Sequence, residues 1–147
     1  MPRPTQRVLP DPLQYGYVAG SASATSGLSL NEFIQKGDSI QDWGRLVTRM
    51  YAKTGASAYS LAQKTADQIK ADCPHAEVSL RRISNVEALL EYSHNGCKGW
   101  EGHRSVRKFM DGRDGIYMIG FDMKNKDYDS AEFSRWRKRI TEGHLID

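Results

Sequence analysis

The sequence has no long apolar run and none of the common catalytic signatures. No stretch of about 18 apolar residues occurs, so no transmembrane helix is predicted. The glycine-rich phosphate-binding loops, the G-x-S-x-G nucleophile motif and the H-E-x-x-H zinc motif are all absent from the 147 residues. Without these motifs the commonest plans for nucleotide-binding proteins and hydrolases are not supported, and we expect a protein that is not an enzyme.

The sequence also has no large excess of positive or negative charge. The formal net charge is +3, with 39% hydrophobic and 27% charged residues, which is typical of one soluble, globular domain. A dedicated nucleic-acid binder usually shows a stronger local excess of basic residues, so nucleic acid is not expected as the partner. Polar sequence rather than an apolar segment follows Met1. The chain is therefore expected to be cytosolic, or to have lost a leader that directed it to the periplasm or outside the cell.

Cysteine is limited to Cys73 and Cys97. In an oxidising compartment the two can form a disulfide, and in the cytosol they would be thiols. With His75, His94 and His103 they could instead hold zinc, or Cys97 could be a nucleophile beside a histidine. The residues alone leave these alternatives open. Because neither spacing matches a common zinc module, no metal or other cofactor is predicted.

The first 27 residues differ in composition from the rest of the chain. They are rich in proline, glycine, serine, alanine and threonine, which cannot bury much apolar surface. We expect residues 1–27 to be a peripheral, partly disordered arm, with at most a short edge strand around Tyr17 and Val18. Residues 28–147 are expected to form a single domain.

That domain begins with two extended segments and a helix. Apolar residues in the stretch Leu28–Tyr51 are divided by a turn at Lys36–Ser39, and Trp43 is expected to anchor the core because it is the largest apolar side chain there. A helix is predicted to begin after Ser57 and to end before Pro74.

From residue 76 onward the apolar residues recur every second position. This period predicts half-buried strands over 76–80, 86–94, 105–110 and 116–123, the last of them apolar on both sides and hence central. Asp129 with Glu132 three residues later predicts a capping box at the start of a second helix. The order of elements predicts an α+β fold, an antiparallel β-sheet covered by two amphipathic helices in a sandwich.

Four side chains are nominated for a binding surface, namely Trp100, His103, Tyr128 and Trp136, although the helical spacing of Trp136 with Phe133 and Ile140 favours a core position for it. Each is an aromatic residue close to charged residues, and Trp100 lies in a glycine-flanked loop where a large aromatic has little structural reason to be. The basic residues Arg135–Arg139 could bind nucleic acid. Their position at the C-terminal end of a helix is explained at least as well by the helix dipole.

Several short stretches together resemble a group of small, uncharacterised proteobacterial proteins that are commonly made with a signal peptide. The resemblance rests on an E-x-x-x-x-G segment from Glu32, followed by Trp43 and Thr48, then Cys73-Pro74 and the Asp111–Tyr117 hairpin. The order of elements is also similar to the small sandwich domain of PsbP, Mog1 and DcrB-type proteins.

The resemblance implies a periplasmic or secreted protein, a disulfide between Cys73 and Cys97, and no known enzymatic activity. It assigns no functional residue. We therefore expect a non-enzymatic extracytoplasmic module that binds another protein, for example an immunity or inhibitor protein that caps a toxic enzyme. The competing interpretations are a cytosolic nucleic-acid binder that uses the basic C-terminal helix, and a zinc- or Cys/His-dependent enzyme.

Overall fold

Seven antiparallel strands form one sheet, and each face of the sheet carries a helix. The computed structural model describes residues 4–147, so the first three residues of the predicted arm lie outside the described part. The elements are β1 Arg7–Leu9, β2 Tyr17–Thr25, β3 Leu28–Gln35, β4 Arg45–Ala52, α1 Ala58–Asp72, β5 Glu77–Ser84, β6 Glu87–Cys97, β7 Trp100–Asp111, β8 Ile116–Lys124, α2 Ser130–Thr141 and β9 His144–Ile146. The strand order is β2-β3-β4-β8-β7-β6-β5, while β1 and β9 form a separate pair. The predicted α+β sandwich is confirmed.

The middle of the sheet is β8, which lies between β4 and β7. All nine of its residues are buried, because α1 packs toward one face of the sheet and α2 toward the other. Its even-numbered side chains, such as Met118, point to the face that carries α1 (the α1 face). Its odd-numbered side chains, such as Phe121, point to the face that carries α2 (the α2 face). The prediction of a central strand covered on both sides is therefore confirmed.

Small side chains let α1 approach the sheet closely. Ala58, Ala62 and Ala66 recur every four residues and are fully buried over the apolar α1 face. The helix begins at the predicted cap, where Ser57 Oγ accepts a hydrogen bond from the Ser60 N–H over 3.1 Å. It ends at Asp72, and Cys73 is the C-cap residue directly before Pro74, as expected.

Aromatic stacking fixes α2 on the opposite face. The Trp136 ring stacks on Phe121 with 4.9 Å between centroids. Asp129 caps the helix through the Glu132 N–H, but the Glu132 side chain does not complete the predicted capping box. It accepts a 2.6 Å hydrogen bond from Arg45 instead. No helix in the described part of the chain is long and apolar enough to cross a membrane.

The N-terminal residues contain more structure than their composition suggests. The expected short edge strand is a nine-residue strand, β2, which pairs with β3 along its length. Most of β2 is exposed, so its backbone hydrogen bonds rather than side-chain burial place it at the sheet edge. Val8 and Tyr17 are buried in the core on the α2 face. The domain boundary placed after residue 27 stays a prediction.

The expectation that Trp43 anchors the core is wrong. Trp43 lies in the loop between β3 and β4, is partly exposed, and belongs to neither buried cluster. Its ring instead contacts polar residues, with Lys124 Nζ 4.5 Å from the ring centroid. Size alone could not distinguish a core residue from one that lines a polar surface.

A buried lysine holds the C-terminal end of α2. Lys108 Nζ donates hydrogen bonds to the carbonyl oxygens of Thr141 (2.9 Å) and Gly143 (2.6 Å), and it pairs with Glu87 over 3.0 Å. These carbonyls lack partners within the helix, and the ammonium group also complements the helix dipole.

We expect Lys108→Met to lower the free energy of unfolding by about 2–3 kcal/mol, because charged hydrogen bonds to buried acceptors are lost. Urea denaturation followed by circular dichroism measures the change. Lys64→Met, on the exposed side of α1, is the matched control and should change stability by less than about 0.5 kcal/mol. Equal stabilities for the two variants would contradict the capping role.

Candidate functional site

Part of the α1 face is not covered by a helix. Contacts of α1 run mainly to β5, β6 and β7, and the helix shares a buried cluster with Ile116 and Met118 at one end of β8, whereas the other end of β8, around Asp122, borders an open groove. A groove of about 350 Å³ lies there. Its walls are the loop that carries Trp43 and the β6–β7 hairpin, in which Trp100 is the first residue of β7. Its floor is formed by polar side chains of β7 and β8, and we call it the tryptophan groove.

Strand register brings the polar side chains of the floor together. His103 on β7 is opposite both His94 on β6 and Lys124 on β8, and Ser105 is opposite Asp122. Since these positions alternate along each strand, all of their side chains point to the α1 face. The next position on β7, Arg107, faces Gly120. A Cβ atom at residue 120 would lie 3.0 Å from Arg107 Cγ, so the glycine leaves room for the arginine.

A hydrogen-bond chain links three of these residues. Arg107 donates to the Tyr92 hydroxyl over 3.0 Å, and that hydroxyl lies 3.0 Å from His103 Nε2. The other ring nitrogen of His103 lies 3.2 Å from the Glu101 carbonyl oxygen. Every partner is matched when His103 donates from Nδ1 to the Glu101 carbonyl oxygen and accepts from the Tyr92 hydroxyl at Nε2. Burial raises the pKa of Tyr92 to about 12, so the hydroxyl keeps its proton.

Asp122 is the residue in the groove whose buried side chain lacks a hydrogen-bond partner at one oxygen atom within the described part of the chain. Its side chain is nearly fully buried, and Oδ1 has no hydrogen-bond partner among the described residues. His103 Nε2 lies 3.7 Å away, beyond hydrogen-bond distance. Leaving a buried acceptor unpaired costs about 1–3 kcal/mol, and more when the group is charged. A ligand that donates a hydrogen bond to Oδ1 would recover that free energy.

The surroundings of Arg107 favour the charged form of its guanidinium group. Burial disfavours the cation, but the negative charge of Asp122 and Glu32 and the proximity of Tyr92 outweigh it, so the pKa of Arg107 is raised. Its guanidinium group also lies over the Tyr92 ring, 5.3 Å from the centroid. The floor of the groove therefore keeps the Arg107 cation beside the Asp122 carboxyl group.

Two of the four nominated binding residues line this groove. Trp100 is 54% exposed at its rim and His103 lies in its floor. Tyr128 is 41% exposed but is on the α2 side, where Arg104 stacks over its ring at 4.6 Å. Trp136 is 2% exposed, so its nomination as a surface residue is wrong. Its helical spacing with Phe133 and Ile140 turns it inward, onto the sheet.

Sequence reasoning missed Arg107, Asp122 and Lys124 in the groove floor and the polar residues next to it on β6 and β7. Tyr92 and His94 on β6 are two positions apart, and so are His103, Ser105 and Arg107 on β7. Polar residues at alternate positions of strands that are otherwise half-buried were the available signal. Asp122 gave no such signal, because it lies in a strand that is apolar on both sides.

The cysteines are joined as the resemblance implies. A disulfide links Cys73, at the end of α1, to Cys97, at the end of β6, with 5.7 Å between the Cα atoms. His94 is next to it, with Nδ1 3.9 Å from Cys97 Sγ. Burial, and to a smaller extent His103, lowers the pKa of His94, which favours the neutral imidazole. With the sulfur atoms bonded to each other, neither a thiolate nucleophile nor a thiolate metal ligand is available.

The basic residues of α2 are partly engaged within the protein. Arg137 pairs with Glu91, and the Arg139 guanidinium lies 4.2 Å from the centre of the Tyr15 ring. Arg135 and Lys138 are exposed. These contacts engage two of the four basic side chains of α2 with neighbouring side chains. Binding of nucleic acid by this helix stays a prediction.

Comparison with known proteins identifies the fold. No family model matches the chain, and no match was found among curated proteins. Among solved structures, the chain is similar to the solution structure of a cyanobacterial PsbP protein from Synechocystis. The TM-score is 0.56 at 11% sequence identity, and the match covers 96% of this chain and 92% of that one. The architecture is a PsbP-like sandwich. This agrees with the element order read from the sequence, while the resemblance to proteobacterial proteins stays a prediction.

Proposed function

We propose that the protein is a non-enzymatic, extracytoplasmic binding module that docks a partner protein in the tryptophan groove. The observation that carries the proposal is the buried Asp122 carboxylate, whose Oδ1 has no hydrogen-bond partner within residues 4–147 and which lines an open groove rimmed by Trp100. Tryptophan is among the residues most enriched at binding hot spots. The proposed occupant is a loop of the partner that inserts an arginine side chain.

Arginine fits the groove for two reasons. Its guanidinium group can donate a charge-assisted hydrogen bond to Asp122, and its planar face can stack on the exposed Trp100 ring. The face of Trp43 is already occupied by Lys124, so the second tryptophan is the one that remains available.

The same geometry argues for binding rather than proton transfer. A general base needs a free lone pair within reach of a substrate, and His103 Nε2 already faces the Tyr92 hydroxyl. Asp122 does not orient that ring, because Nδ1 is directed at the Glu101 carbonyl oxygen. The chain of hydrogen bonds from Arg107 to His103 is better suited to holding the floor of a binding site rigid.

The disulfide supports a location outside the cytoplasm, since stable disulfides form and persist mainly in oxidising compartments. In its specific form, the proposal is an inhibitor or immunity protein whose partner is an enzyme that it covers. Native co-purification from the periplasmic or secreted fraction would identify the partner.

Trp100→Ala tests the docking surface. We expect the dissociation constant for the co-purified partner to rise about 30-fold, a loss of about 2 kcal/mol, with the fold unchanged. Tyr128→Ala is the matched control, because it removes an exposed aromatic ring on the α2 side. Isothermal titration calorimetry measures both. An effect of Tyr128→Ala that exceeds that of Trp100→Ala would place the interface on the wrong face of the sheet for this proposal.

A further inference from the structure

Three potential metal ligands converge at the end of β6 that meets α1. The sulfur atoms of Cys73 and Cys97 and a ring nitrogen of His94 all lie within 4.8 Å of one another. Cys73 and His94 are buried, and Cys97 is partly buried. Two thiolates and an imidazole are the ligand types that zinc prefers in proteins.

We propose that the Cys73–Cys97 disulfide masks a site for zinc, which opens when the disulfide is reduced. A dithiol reductant supplies two electrons and two protons, so that the S–S bond becomes two thiols and the reductant becomes a cyclic disulfide. Zn²⁺ then displaces both thiol protons and binds the two thiolates and His94 Nδ1. This inference goes beyond the docking function and does not depend on it.

The distances suit a tetrahedral ion. Zinc–sulfur and zinc–nitrogen bonds of about 2.3 and 2.0 Å place neighbouring ligands of a tetrahedral site roughly 3.5–3.8 Å apart. The separation of His94 Nδ1 and Cys97 Sγ is 3.9 Å. After reduction the two sulfur atoms need only move apart by side-chain rotation, from Cα atoms that are 5.7 Å apart.

His94 is already prepared as a ligand. Its Nδ1 accepts a 3.0 Å hydrogen bond from the Gly96 N–H, so the lone pair points toward the end of the strand. The ring is held between neighbours, stacked against Tyr92 and edge-on to His103 at 4.6 Å between centroids. A metal ion would take the place of the Gly96 hydrogen bond without a rearrangement of the ring.

Contacts other than the disulfide hold the ligands in position. Asn125 Nδ2 donates to the His94 carbonyl oxygen over 2.9 Å, and the Cys73 N–H donates to Ile69 in the last turn of α1. Lys98 pairs with Asp72 across the gap between hairpin and helix, at 3.1 Å. The scaffold therefore does not depend on the S–S bond alone.

The site also has an entry path and a balanced charge. A cavity of about 380 Å³ touches Cys73, His94 and Cys97 and opens to solvent, leaving the fourth coordination position to water. One Zn²⁺ with two thiolates carries no net charge. The basic residues at the cavity rim, such as Arg104, therefore do not oppose binding electrostatically.

Cobalt titration of the reduced protein tests the proposal. The protein is reduced with dithiothreitol, desalted without oxygen, and titrated with Co²⁺, whose thiolate charge-transfer and tetrahedral d–d bands report the ligands directly. We expect the reduced protein to bind one equivalent of Co²⁺, which Zn²⁺ displaces. We expect the oxidised protein to bind no Co²⁺. His94→Asn should weaken binding more than about tenfold. His144→Asn, an exposed histidine outside this cluster, is the matched control.

Two results would overturn the proposal. One is Co²⁺ binding by the reduced protein that is no tighter than binding by a Cys73→Ser/Cys97→Ser variant. The other is an affinity that His94→Asn leaves unchanged. If reduction unfolds the protein, the same test is made by circular dichroism. Recovery of the fold on adding one equivalent of Zn²⁺ supports the site, and failure to recover it counts against the site.

Discussion

Replacing Trp136 by alanine is expected to lower the free energy of unfolding by about 3–5 kcal/mol. The side chain is 2% exposed, stacks on Phe121, and meets the edges of Tyr15 and Tyr17 at 5.2 and 5.4 Å between centroids. Its removal would leave a large cavity between α2 and the sheet and would loosen the N-terminal residues that pack on it. Urea denaturation monitored by far-ultraviolet circular dichroism measures the change.

Trp100→Ala is the matched control for this stability measurement. It deletes the same side chain from a position that is 54% exposed, so the expected loss is below about 0.5 kcal/mol. The two variants together separate the core tryptophan from the tryptophan that we propose for partner binding. Similar stabilities for both would mean that the interface between α2 and the sheet does not depend on Trp136.

The strand and helix pattern was predictable because local signals and tertiary packing agree. The period of two in residues 76–123 required one buried face, and α1 or α2 covers that face in the structure. The caps at Ser57 and Asp129 fixed the helix starts. Where packing does not use side chains, the sequence predicted only a short edge strand around Tyr17 and Val18 and missed the full length of β2. In β2, residues such as Ala22 and Ser23 are exposed and join the sheet through backbone hydrogen bonds alone.

The groove could be predicted only in part. Trp100 was identifiable as a large side chain in a loop with no place to bury itself. Asp122 was not, because its role depends on which strands are neighbours. β8 pairs with β4, which precedes it by more than sixty positions in the sequence, and with β7. The juxtaposition of Asp122 with Leu46, and hence with the loop that carries Trp43, is set by sheet order, which local sequence patterns do not encode.

Loss of the disulfide is the second large effect that we expect. The bond closes a loop with a sequence separation of 24, and the chain-entropy model then gives a stabilisation of about 3.5 kcal/mol. The variant Cys73→Ala/Cys97→Ala should therefore be less stable than the oxidised protein by about that amount. In a chain of this size the melting temperature would fall by roughly 10 °C.

Urea denaturation in the presence of a chelator keeps metal binding out of this comparison. The reduced wild-type protein serves as the control, because it lacks the bond but retains both sulfur atoms. Any difference between it and the double variant measures the packing of the buried Cys73 side chain. Oxidised and reduced wild-type protein that unfold at the same urea concentration would contradict the prediction.

The mechanism of this stabilisation can be checked in the same experiment. In the chain-entropy model the bond acts on the unfolded state, which it keeps more compact. An unfolded chain without the bond exposes more surface, so the dependence of the unfolding free energy on urea should become steeper in the reduced protein and in the double variant. A lower midpoint with an unchanged slope would instead locate the effect in the native state, at the contact between the end of α1 and the β6–β7 hairpin. That contact also positions His94. A native-state effect would therefore mean that reduction disturbs the ligands, and zinc would have to reorder them as it binds.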